Sequence, residues 1–213
     1  MRKADVIIPT FKPGDKLEKL LWRLLEQSVP VGRVIIMNTE EKYWDAERFE
    51  SLFEGGDTKL TVCHIRQSEF DHGRTRHEGI LKSDADVCIC MTHDCVPYDR
   101  NLVKELLEAL DASERVAAAY ARQLPATDCN IIECHTRDFN YPDKSRVKRL
   151  SDLDTLGIKT YFCSNVCAAY KREIYRKLGG FIRKTIFNED MIFAAKAMKN
   201  GYAVYYAADA RVI

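Results

Sequence analysis

The chain has 213 residues, 46% of them hydrophobic and 31% charged, with a formal net charge of +1. That is enough for one sizeable core and short for two, and the near-neutral balance gives no bulk electrostatic reason to bind nucleic acid. No apolar run reaches the 18 or so residues of a membrane span, and Met1 leads within a few residues into VIIP without a signal-peptide core.

ADVIIPTF at 4–11 is a short β-branched run that predicts a buried strand. Leu17, Leu20, Leu21, Leu24 and Leu25 then fall at helical spacing behind Asp15, a candidate N-cap. GRVIIMNT at 32–39 predicts a second buried strand and KLTVCHIR at 59–66 a weaker third. HGRTRHEGILKS predicts a helix beginning near Gly73. DADVCICM at 84–91 is a fourth strand, DRNLVKELLEALDAS a helix, and ERVAAAYARQ at 114–123 another strand. Residues 125–160 are polar, basic in the middle and poorly periodic, which predicts a long connection with a short helix or two. TYFCSNVCAAYKREIYRKLGGF reads strand then helix, stopped at Gly179 and Gly180. NEDMIFAAKAMKNGY predicts a helix with Asn188 as N-cap, and AVYYAADARVI a strand at which the chain stops, so a C-terminal truncation is expected.

This order predicts an α/β fold, a mostly parallel central sheet flanked by helices. Ligands in such sheets bind beyond the carboxyl ends of the strands, which directs attention to Pro9 and Thr10, Asn38 and Thr39, and Thr92 to Cys95. The eight cysteines include no C-x-x-C pair and are expected to be reduced thiols in a cytoplasmic protein, Cys88 and Cys90 sharing one strand face. His64 is expected to pack in its strand, His135 to be solvated, and the basic run KSRVKR at 144–149 to form a solvated face. The same run could instead touch anionic lipid headgroups, a peripheral membrane contact.

Asp84 and Asp86 form a literal D-x-D, the spacing that suits a metal bound to a diphosphate. They precede the apolar run, at the amino end of its strand and away from the ligand edge. Asp94 follows the run, at the carboxyl end, where a carboxylate can hold a hard divalent cation that also takes diphosphate oxygens. A turn-forming role ahead of Pro97 is the competing reading for Asp94. Glu189 and Asp190 are adjacent acids opening a helix. The macrodipole alone favours acids there; the alternative is a general base aimed at an incoming hydroxyl. Adjacent helical residues point about 100° apart, so only one of the two can face a cleft.

The segments VIIPTFKPGDKLEKLLWRLLEQ, SEFDHGRTRHEG, MTHDCVP, ARQLP, CSNVCAAYKREIYRKLGGF and IFNEDMIFAAKAMKNGYAVYYAADARV, in that order, resemble the inverting GT-A-fold glycosyltransferases of family 2, the rhamnosyltransferase-like members above all. The resemblance covers nearly the whole chain. It implies one GT-A domain over 1–213, with a nucleotide-sugar-binding half at 1–124 and an acceptor-binding half at 125–213. It implies that Pro9, Thr10, Asn38, Thr39, Asp71, Gly73, Arg74, Arg76, His93 and Asp94 meet the nucleotide sugar. Asp94 would be the metal ligand, for Mg²⁺ or Mn²⁺, and Asp190, with Glu189 beside it, the catalytic base. Asn38 stands where the family usually has an aspartate and His77 where it often has an asparagine; a metal-side histidine frequent after the last matched strand has no counterpart before Ile213. The activity implied is transfer of a sugar, such as L-rhamnose from dTDP-rhamnose, to a glycan or lipid-linked oligosaccharide. Arg74, Arg76 or Arg122 would help neutralise the diphosphate. A nucleotidylyltransferase fits less well, because no glycine-rich basic loop follows the first strand. A non-catalytic nucleotide-sugar-binding domain of the same fold is the alternative.

Overall fold

The computed structural model describes residues 2–126 and 129–213. Eight strands form one sheet: β1 Ala4–Phe11, β2 Arg33–Thr39, β3 Lys59–Ile65, β4 Val87–Met91, β5 Val116–Gln123, β6 Arg146–Lys148, β7 Cys167–Lys171 and β8 Ala203–Val212. Their spatial order is β3-β2-β1-β4-β7-β5-β8-β6. The first four strands are parallel, and β5 pairs parallel with β8. β7 runs antiparallel to both of its neighbours, and β6 antiparallel to β8.

The helices are α1 Asp15–Leu25, α2 Ala46–Glu50, α3 His72–Leu81, α4 Leu102–Asp111, α5 Ile131–Asn140, α6 Leu153–Leu156, α7 Arg172–Lys177 and α8 Glu189–Lys199. They cover both faces of the sheet, which is why its central strands read as unbroken apolar runs. Leu17, Leu20, Leu21 and Leu24 of α1 join Phe49, Val103 and Leu106 in one core. Ile80 of α3, Tyr175 of α7 and Phe193 of α8 build the other.

Three local expectations change. Gly14 rather than Asp15 precedes α1, and Asn188, although it caps α8, adopts a left-handed conformation (φ 70°) and gives no side-chain cap bond. The KSRVKR run is not a fully solvated face. It carries the edge strand β6, and Lys148 is buried, donating to the carbonyls of Phe162 and Lys159 and lying 4.7 Å from the Tyr120 ring centroid. Burial pulls the Lys148 ammonium down to about 8. Lastly, Cys129 and Cys134 are disulfide-bonded, against the expectation of reduced thiols; Asn130 caps α5 and brings their Cα atoms to 6.4 Å. The other six cysteines are free, five of them buried. Within the 125–160 connection, Thr127 and Asp128 lie outside the described residues. Among the described residues, no helix is long and apolar enough to cross a membrane.

Candidate active site

The carboxyl edge of the parallel strands carries a cleft of about 250 Å³. Arg76, Thr92, Asn165, Glu189 and Asp190 line it, with Phe162 and Phe187 as apolar walls. Four elements meet there. The turn after β4 brings Thr92 and α3 brings Arg76. The antiparallel β7 reverses direction, so the residues before it arrive at this edge too and deliver Asn165. α8 begins there and delivers both acids.

The two adjacent acids have different surroundings. Glu189 is buried and ion-paired with Arg76 at 3.1 Å, the two side chains being 5% and 6% exposed. It also accepts from Asn165 Nδ2 at 2.9 Å. Asn165 is held in turn by the Tyr170 hydroxyl, which donates to its Oδ1 at 2.7 Å. Asp190 is half-buried and, among the described residues, makes no ion pair. Its Oδ2 accepts from the Asn165 amide and its Oδ1 from the Met191 amide, each at 2.8 Å. Burial raises the Asp190 carboxyl above the ordinary carboxylate range, and the Glu189 charge adds to this; the two amides and Arg76 pull the other way. The result is one carboxylate fixed in direction, with lone pairs to spare and a raised proton affinity.

The donor-side residues divide. Thr10 donates to Asn38 Oδ1 at 3.0 Å, and Asn38 Nδ2 lies 3.1 Å from the Glu40 carbonyl and 3.0 Å from His64 Nδ1. This chain runs from the buried Thr10 and Asn38 out to His64, which is exposed at the end of β3 rather than packed in the core, and it commits Asn38 within the protein. Thr39 is buried with its hydroxyl unpartnered among the described residues, and Pro9 is buried beside Thr10. Asp71 caps α3 through the Arg74 amide at 2.8 Å and also accepts from the Thr185 amide at 2.9 Å. Arg74 is exposed, whereas Arg76 is locked under Glu189. Gly73 has a packing reason: a Cβ there would lie 2.0 Å from the Ile182 carbonyl oxygen and 3.3 Å from Glu189 Cβ. His93 is half-buried and Asp94 exposed in the turn after β4.

Asp84 and Asp86 lie at the opposite edge, where Asp84 pairs with Arg33 and Asp86 accepts from the Lys3 amide. A larger cavity of about 790 Å³ opens on that edge too, lined by Asp86, Lys171 and Arg172. Lys171 and Arg172 there spend their hydrogen bonds on main-chain carbonyls.

Among the described residues no group of three histidines, cysteines or acids converges on a metal position. Asp94 fits a cation held mainly by a diphosphate, since Mg²⁺ commonly takes one or two carboxylates and fills its shell with phosphate oxygens and water. Asn165 and Tyr170 were not legible as site residues. The available signal was a polar pair, Ser164-Asn165, set between apolar residues just before a buried strand.

The glycosyl transferase family 2 profile matches residues 5–179. The chain belongs to that family. It is 37% identical over 212 residues to the O-antigen chain rhamnosyltransferase RfbN of Salmonella typhimurium, covering 99% of this chain and 65% of the relative. It is 40% identical to the O-antigen chain rhamnosyltransferase WbaN of Salmonella anatum, covering 100% of this chain and 66% of the relative. The chain therefore spans just under two thirds of the length of these relatives. In structure it resembles the mannosyltransferase PcManGT of Pyrobaculum calidifontis, solved with GDP-Man and Mn²⁺, with a TM-score of 0.74 at 16% identity over 99% of this chain and 56% of that one. It also resembles S. aureus TarS 1–349, solved with UDP-GlcNAc, with a TM-score of 0.73 at 16% identity over 99% of this chain and 57% of that one. The expected GT-A fold is the fold observed.

Proposed function

We propose that this domain transfers a sugar from a nucleotide diphosphate to a hydroxyl of a growing glycan, with inversion and with Asp190 as the base. The observation that carries the reading is the split between the two acids. Glu189 is neutralised by Arg76, and Asp190 is left as the one aimed carboxylate in the cleft. Asp190 takes the acceptor proton while the hydroxyl oxygen bonds to the anomeric carbon from the face opposite the diphosphate. The anomeric C–O bond breaks and the diphosphate leaves with the electron pair. Cys163 also lines the cleft, but burial pushes its thiol up to about 12, which makes it a poor nucleophile for a two-step, retaining route.

Asp94, with His93 beside it, would hold a divalent cation, Mg²⁺ or Mn²⁺, which supplies charge neutralisation to the diphosphate when bound. Arg74, exposed at the start of α3, is suited to a phosphate. Gly73 and Asp71 shape that turn, and Pro9, Thr10, Asn38 and Thr39 form the floor beneath the nucleotide. Residues 1–124 serve as the donor half and 125–213 as the acceptor half. The relatives are named O-antigen chain rhamnosyltransferases, which favours rhamnose as the sugar and an O-antigen-type glycan as acceptor; dTDP-L-rhamnose is the donor of this reading.

The test is Asp190→Asn, assayed with dTDP-rhamnose and an O-antigen acceptor fragment. Loss of a general base lowers the rate by roughly 10²- to 10⁴-fold, with donor binding retained. Turnover at the wild-type rate would remove Asp190 from the chemistry. Donor binding without turnover in the wild type as well would instead favour a non-catalytic nucleotide-sugar-binding domain.

A further inference from the structure

Fifteen large apolar side chains are exposed among the described residues, and ten of them lie between residues 131 and 192. The most exposed is Ile186 at 80%, followed along the chain by Phe187 at 64%. Both belong to the loop 181–188 that joins the α7 segment to α8. This loop is fastened from beneath. The Phe181 amide donates to the Tyr175 hydroxyl at 3.0 Å, and the Thr185 amide to Asp71 at 2.9 Å. Its apolar tips Ile182, Ile186 and Phe187 are therefore held outward. Arg183 and Lys184 are exposed between them, and the loop contains no acid.

A second piece of the same character leads to the same cleft. Lys159 sits over the ring of the exposed Phe139, next to Ile158, which is 70% exposed. This turn leads directly into Phe162, which lines the same cleft as Phe187. Apolar tips interleaved with lysine are poor material for the centre of a protein interface, from which lysine is depleted. A bilayer surface accepts both kinds of group. The apolar tips enter below the headgroups, and the cations stay at the phosphate level on their flexible stems.

We propose that the 181–188 loop, together with Phe139 and Lys159, is a docking surface for an anionic phospholipid bilayer. Phe187 is both a tip of this surface and a wall of the cleft, so docking opens the cleft at the headgroup layer.

The test is co-sedimentation of the full chain with vesicles of phosphatidylcholine alone and of phosphatidylcholine with phosphatidylglycerol, at low and high salt. The chain is expected to bind the phosphatidylglycerol vesicles and to release as salt screens the charges. The double variant Ile186→Asp/Phe187→Asp is expected to lose about tenfold or more in partitioning. Arg183→Glu/Lys184→Glu is expected to lose a similar factor on anionic vesicles alone. The four side chains are exposed, and an unchanged melting temperature checks that each variant is folded. No binding to phosphatidylglycerol vesicles, or equal binding by wild type and both variants, would overturn the proposal. So would a concentration-dependent dimer that the double aspartate variant abolishes, since the surface would then be an interface between copies of the chain. Binding is read without donor or acceptor, so its outcome is separate from that of the transfer reaction.

Discussion

Removing the Arg76 guanidinium leaves the Glu189 carboxylate buried without its counter-charge. Breaking a buried pair from one side typically costs about 3–5 kcal/mol, so Arg76→Met is expected to lose that much in urea unfolding. A loss in the surface-pair range of about 1 kcal/mol or less would mean the pair is effectively solvated. The same substitution has a second readout at Asp190. Asp190 must be ionised to accept a proton, so the rate rises with pH through its pKa, which lies above the ordinary carboxylate range. Arg76 pulls that pKa down and Glu189 pushes it up. With Arg76 gone, the acid limb of the kcat/KM profile is expected to move to higher pH. A limb that stays in place would uncouple the pair from the base. The sequence placed two adjacent acids at a helix start but could not say which one is aimed. Arg76 lies over a hundred residues upstream of Glu189 and Asn165 more than twenty, and neither spacing leaves a local signal.

At the scale of elements, α3 packs close enough to the 181–188 loop that only glycine fits at position 73. Gly73→Ala forces the first turn of α3 away from the Ile182 carbonyl and from Glu189, at a cost of about 1–3 kcal/mol for overpacking. Because Arg76 follows that turn directly, kcat is expected to fall with stability, whereas a purely local strain would leave kcat intact in the folded fraction. Thermal unfolding and single-turnover rates on one sample separate the two. The strands β1 to β5 were legible as apolar runs, and α1 and α4 as apolar-periodic segments; α3 and α8 carry a weaker apolar period and showed mainly through their flanking strands and turns. β6 was not, since three residues of edge strand carry no period of two. The direction of β7 was not legible either. A short buried strand reads the same in either direction, and only its pairing fixes its sense. Yet this reversal is what brings Asn165 to the site.

At the scale of the whole molecule, donor binding should be visible as added stability. A nucleotide diphosphate at a hundredfold excess over its Kd adds about 2.7 kcal/mol, or roughly 5–10 °C for a chain of this size. Mn²⁺ is expected to enlarge the shift for the wild type, and Asp94→Ala to remove that increment. An increment that survives in Asp94→Ala would place the cation elsewhere. The α/β class followed from the alternation of strands and helices, and the sheet edge and the rejection of Asp84 and Asp86 from strand polarity. The exposed apolar loop did not stand out, because IRKTIF resembles any short apolar-basic stretch until its neighbours are seen to leave it uncovered.

The place of β5 in the sheet bears on how the chain is made. The group β3-β2-β1-β4 has all its strands once residue 91 has been synthesised. β5 follows at residues 116–123, but its two neighbours are β7 and β8, which end at 171 and 212. For nearly fifty residues of elongation, an eight-residue apolar strand leaves the ribosome with both edges open. Open edges of this kind invite pairing with other chains. Translation speed and chaperone capture between residues 123 and 171 therefore bear on yield more than at any earlier point in the chain.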